Sequence, residues 1–157
     1  MSIKDGYIKD LANKLARDGR KLIETAYLKA DFGKDKTQNL HDSYGSAVYY
    51  NYKIYPNTKS FFTPMSSTKK KDPNTGEKIS GREAIEDFFA TYKPSSDGMQ
   101  LVVVVAMFYG GILEAGQYPL KRKYNVIFMI GDDIRALAAK IKEASVYKIQ
   151  DGRVAAL

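Results

Sequence analysis

The chain contains no cysteine and a single histidine. The first absence excludes thiolate catalysis, cysteine-bound zinc and a disulfide framework. The second excludes a histidine-rich metal site. No apolar run approaches the roughly 20 residues needed to span a bilayer, so no membrane segment is expected. The opening Met-Ser-Ile-Lys-Asp-Gly has no apolar stretch behind its charges, so no secretory signal is expected either. Neither a Gly-x-Gly-x-x-Gly pattern nor a Gly-x4-Gly-Lys-Ser/Thr pattern occurs, which removes the common phosphate-loop fingerprints.

What is present is ordinary for a globular protein: 157 residues, 44% hydrophobic and 27% charged. This length suits one domain spanning residues 1–157. A domain of that size buries about 68–70% of its unfolded surface and needs no covalent staples.

Basic residues exceed acidic ones, 25 against 18, for a net charge of +7. A basic balance invites a nucleic-acid reading, so the position of the charge matters. The excess is diffuse: +3 over residues 1–36, −1 over 37–50, +3 over 51–93 and +2 over 94–157. Two tight clusters stand out, Lys69-Lys70-Lys71 and Lys121-Arg122-Lys123. Each reads first as a solvated loop, and second as a contact with phosphate or with a neighbouring subunit.

The first expected element is a long helix. Ile8, Leu11, Ala12, Leu15, Gly19, Leu22, Ile23, Ala26 and Ala30 recur at three- and four-residue spacing. Gly19 costs about 1 kcal/mol inside a helix and marks a close approach by another backbone. Phe32-Gly33 is the expected end. Residues 44–55 are rich in β-formers and read as a strand, or two strands with a turn near Asn51. Five of the twelve tyrosines fall there: Tyr44, Tyr49, Tyr50, Tyr52 and Tyr55. Residues 56–80, with three prolines and many small polar residues, read as a projecting loop or arm.

Ser80 and Glu83 form a capping box that opens a second helix, which Lys93-Pro94 closes. Residues 99–107 are almost wholly apolar and β-branched, the pattern of a strand covered on both faces. Residues 108–116 read as a short irregular or helical piece ending at Gly116, and 124–130 as another strand. Asp132-Asp133 opens a last helix. The tail 146–157 has the composition of a short edge strand. The expected fold class is therefore α+β: a long N-terminal helix and two further helices packed on a small mixed or antiparallel sheet.

The chemistry is sparse. His41, Asp42 and Ser43 are sequence neighbours whose side chains are expected to point apart, so a polar turn or cap is the better reading than a triad. Glu114, Asp132 and Asp133 would be the ligands of a metal-dependent nuclease, but acidic residues are favoured at a helix start in any case. No catalytic, metal-binding or cofactor-binding residue is assigned, and no cofactor is expected.

Two segments, taken in order, carry a resemblance. After the first helix comes Thr37-Gln38-Asn39-Leu40-His41-Asp42-Ser43-Tyr44, and after the apolar strand Phe108-Tyr109-Gly110-Gly111-Ile112-Leu113-Glu114-Ala115-Gly116. Over roughly residues 8–145 the chain resembles the tail-completion, or head–tail joining, proteins of tailed bacteriophages. In that family a Thr-Gly-x-Leu-x-x-Ser segment opens a strand, and a later strand leads into Tyr-Ala-x-x-Val-Glu-x-Gly. Thr37, Leu40 and Ser43 match the first pattern, with Asn39 as an insertion. Tyr109, Glu114 and Gly116 match the second, with one extra residue between Tyr and Glu. Gln38 replaces the family glycine, and the 56–80 stretch is long.

The resemblance implies a non-enzymatic virion protein, assembled in the host cytoplasm. It implies a homo-oligomeric ring in the neck, between the portal-side connector and the tail, around the DNA passage. The expected partners are further copies of the chain, connector and tail proteins, and DNA through non-specific contact. Tyr44, Tyr49, Tyr50, Tyr52, Tyr55, Tyr109 and Glu114 are the candidate subunit-interface residues, because tyrosine suits interfaces. Lys69, Lys70 and Lys71 are the candidate contacts to DNA or to an acidic neighbour. The alternative is a small basic nucleic-acid-binding protein, although no helix-turn-helix or aromatic RNA-binding signature occurs.

Overall fold

A computed structural model describes residues 2–29, 38–65, 68–73, 75–94, 96–107, 147–150 and 153–156. In chain order these form α1 (Ile3–Lys29), α2 (Asn39–Asp42), β1 (Tyr44–Tyr50), β2 (Lys53–Ile54), β3 (Ser60–Phe61), β4 (Lys70–Lys71), β5 (Lys78–Ile79), α3 (Gly81–Thr91), β6 (Gln100–Val105), β7 (Tyr147–Gln150) and β8 (Arg153–Ala156). The class is α+β with a long N-terminal helix, as expected, and the pairings among the described strands are antiparallel.

β1 is the centre of the main sheet. β6 pairs with it along six residues on one side, from Tyr44↔Val105 to Tyr49↔Gln100. On the other side β2 and β3 share its length, at Tyr49↔Ile54 and Gly45↔Phe61. Thr58 closes the gap between those two short strands. Its hydroxyl accepts the Val48 N–H (3.2 Å) and donates to the Tyr55 carbonyl (2.7 Å).

Helix α1 covers one face of the sheet and α3 the other. Ala12 and Leu15 of α1 pack on Val48, with Leu11, Tyr55, Met99 and Leu101 around them. Ile85 and Phe89 of α3 pack on Ala47, Tyr49 and Val102. The side chains alternate along β1 as the pleat requires, and both faces are covered. Six of its seven residues are therefore buried. Burial on both faces is the expectation for the almost wholly apolar stretch 99–107. In β6 only Val102 is fully buried and the rest is half-exposed, because among the described residues β6 pairs on one side alone.

The helix starts follow local chemistry. Ser80 Oγ accepts the Glu83 N–H and the Glu83 carboxylate accepts the Ser80 N–H, the capping box read from the sequence. Ser2 and Asp5 make the same reciprocal pair at the start of α1. Gly19 does mark a close approach, but to a side chain and not to a backbone. A Cβ there would stand 2.8 Å from Leu101 Cδ1.

The described residues between 56 and 80 include both anchored and separate parts. Thr58 is buried, β3 belongs to the main sheet, and β4 and β5 form a separate two-stranded ribbon. The tail holds β7 and β8, which pair with each other. Gly33 as helix end, the 108–116 piece, the 124–130 strand and the helix from Asp132 lie outside the described residues. Two helices longer than one turn, α1 and α3, are described. No described helix is long and apolar enough to cross a membrane.

Candidate functional site

Polar side chains gather where α2 meets the start of α3. Asn39 is fully buried; its Oδ1 accepts the Gly81 N–H (2.9 Å), and its Nδ2 lies 3.4 Å from Thr68 Oγ1. Gly81 opens α3 so close to α2 that any Cβ would overlap the Asn39 carbonyl oxygen. Asp42, also fully buried, accepts the Met65 N–H with both carboxylate oxygens, at 2.9 and 3.0 Å. His41 Nδ1 stands 2.7 Å from Asp42 Oδ1, and its ring stacks on Phe62 with centroids 4.7 Å apart. The neighbours His41 and Asp42 thus do meet, contrary to expectation. What they hold is Phe62 and the backbone of Met65. A buried carboxylate needs such partners to offset its desolvation.

The candidate interface tyrosines divide. Tyr44 and Tyr49 are core residues of this chain and are unavailable to a neighbour. Tyr44 packs near Phe62, with centroids 6.5 Å apart. Tyr49 donates its hydroxyl to the Phe89 carbonyl (3.2 Å) and meets Tyr92 edge-on at 5.3 Å. Burial, and secondarily Tyr92, pushes the Tyr49 phenol up to about 12. A tyrosine-rich strand looks like an interface until the helix on its second face is known. Tyr50 and Tyr55 are half-buried, and Tyr52 is exposed. Tyr109 and Glu114 lie outside the described residues.

Tyr52 belongs to a further surface that the sequence pattern does not single out. Ile23 lies at the level of Tyr44 and Gly45, whereas Ala12 and Leu15 lie at Val48. α1 therefore runs antiparallel to β1, and its first turns overhang the end of the sheet where β1 turns into β2. Nine residues of helix carry Ile3 about 13 Å beyond Ala12. At that end Ile3 is 95% exposed, Tyr7 66% and Tyr52 58%. Ile8, Tyr50 and Tyr55 are half-buried. Asn51 and Tyr52 make the tight turn with φ of +54° and +64°. A bulky residue in that left-handed region is strained, where a hairpin turn prefers glycine. Ile3 and Tyr7 lie off the Ala12–Leu15–Gly19–Ile23 face of α1, so its apolar periodicity does not mark them.

The lysine cluster also divides. Lys69 pairs with Glu83 at 2.8 Å, which, with the Ser80 N–H bond, holds the Glu83 carboxyl below its usual range. Lys70 and Lys71 are exposed on β4. Lys71 stands directly opposite Lys78 of β5, a partner no sequence spacing reveals. Arg82, stacked 4.2 Å over Phe61, donates to the Phe62 carbonyl and pairs with Glu86.

A cleft between α1 and β3, lined by Arg20, Ile23, Tyr44 and Phe61 among others, has about 10 Å³ of room, enough for one water. Among the described residues no three His, Asp or Glu side chains stand close enough to share a metal ion. Compared with known proteins, the chain matches no family model, no curated protein and no solved structure.

Proposed function

We propose that the chain is a structural, ring-forming subunit of the neck of a tailed bacteriophage, joining the portal-side connector to the tail around the DNA passage and making or breaking no bond. The observation that carries the assembly role is the exposure of the large apolar side chains Ile3 and Tyr7 at the N-terminal end of α1 and of Tyr52 in the β1–β2 turn. Large apolar groups left in water are candidates for contact with another chain. A strained turn that presents one of them points the same way, since strain without packing gain accumulates at functional positions. A ring subunit needs two unlike lateral surfaces, because its contacts run head to tail. This end supplies one of them.

The virion assignment rests on the resemblance. In support of it, Leu40 and Ser43 of the first motif lead directly into β1, as that motif opens a strand in the family. The His41–Asp42 pair is engaged in holding Met65 and Phe62, which fits a structural part better than a catalytic one.

Electron microscopy and native mass spectrometry of the purified chain test the reading. The expected result is one closed, symmetric oligomer. A strict monomer at high concentration, with and without connector and tail proteins, overturns it.

A further inference from the structure

The β4–β5 ribbon stands apart from the main sheet. Its turn is closed by its own backbone, Asp72 N–H to the Glu77 carbonyl and Gly76 N–H to the Asp72 carbonyl, both 2.8 Å. Lys70, Lys71 and Lys78 are all exposed. Lys71 and Lys78 face each other across the ladder. Opposed residues share one face of a ribbon with their Cβ atoms roughly 5 Å apart, and like charges so placed destabilise it. A ribbon of two residue pairs has little to offset that repulsion. An anion between the two ammonium groups would relieve it.

We propose that this ribbon binds the phosphate backbone of double-stranded nucleic acid, with Lys71 and Lys78 as the paired contacts on one face. Lys69 is a fastener: its ion pair with Glu83 ties the ribbon to α3. A two-stranded ribbon fits the major groove, which is about 12 Å wide. Lysine supplies a point charge without the fork of arginine, and the two ladders carry no Asn, Gln or Arg, so binding is to phosphate and independent of sequence. A protein partner fits less well, since β4 and β5 expose no large apolar side chain and Ile79 is half-buried. Asp72 and Glu77 sit at the turn end, so the lysine ladder and not the tip meets the backbone. The inference stands whether or not the chain closes into a ring.

The test is a salt titration of the full chain binding a labelled duplex of arbitrary sequence. Each lost phosphate contact lowers the slope of log affinity against log salt by about 0.9. Lys71→Gln/Lys78→Gln should therefore flatten the slope by about 2, while Lys9→Gln/Lys21→Gln on α1 leaves it unchanged. An unchanged slope in the ribbon variant, or equal flattening in both, overturns the proposal. So does equal affinity for polyglutamate of matched charge. The oligomeric state of the same samples is read separately. A monomer whose slope flattens retires the ring and keeps the ribbon; a ring whose slope does not change retires the ribbon and keeps the ring.

Discussion

Asn39 and Asp42 do more for this fold than their short polar segment suggests. Each satisfies a backbone N–H from a distant element, Gly81 and Met65 respectively. Asn39→Ala leaves a buried donor unmet and should cost about 1–3 kcal/mol, read as a lower urea midpoint with an unchanged m-value. Ser46 is the opposite case. Among the described residues its Oγ is the buried side-chain polar atom without a partner. Ser46→Ala should be neutral or stabilising by up to about 1 kcal/mol in the same measurement. Tyr49 has a pH signature. Its phenol is raised from 10 to about 12 by burial. The folded state thus favours the protonated form, and that stability is complete below pH 10 and lost as pH rises towards 12. Tyr49→Phe should remove this alkaline limb from the stability profile.

The elements differ in how far local sequence accounts for them. The Ser80–Glu83 box predicts the start of α3, and Ser80→Ala should lower stability by about 1 kcal/mol in thermal unfolding. The Glu83 carboxyl is depressed by Lys69 and the Ser80 N–H, so its contribution is present at neutral pH and is lost as pH falls through the lowered value. The β1–β2 turn near Asn51 is also legible, but not its strain. Tyr52→Gly should raise monomer stability by up to about 1 kcal/mol, because glycine accepts positive φ freely, and should weaken assembly. The 56–80 segment reads as an arm since prolines and polar residues dominate it. Its anchors, Thr58, Phe61 and Phe62, are single residues whose partners on β1, α2 and α3 are distant in sequence.

At the scale of the molecule, Ile3 and Tyr7 at the start of α1 make no contribution to the core among the described residues. Ile3→Ser/Tyr7→Ser should leave unfolding within about 0.5 kcal/mol of the parent, as exposed positions do. The same variant should abolish the large oligomer in native mass spectrometry. A variant that still assembles fully would mean that the lateral contacts lie elsewhere.

Composition and periodicity alone determined the α+β class, the long first helix, the capped second helix and the two main strands. Those features depend on contacts within a few residues or on hydrophobic spacing along one element. Only the tertiary structure decided that β1 is the doubly covered centre, that Tyr44 and Tyr49 are core and Tyr52 is surface, and that Lys78 answers Lys71. Each of these depends on which element lies across the sheet or the ladder, and no residue's own neighbours in the chain encode that.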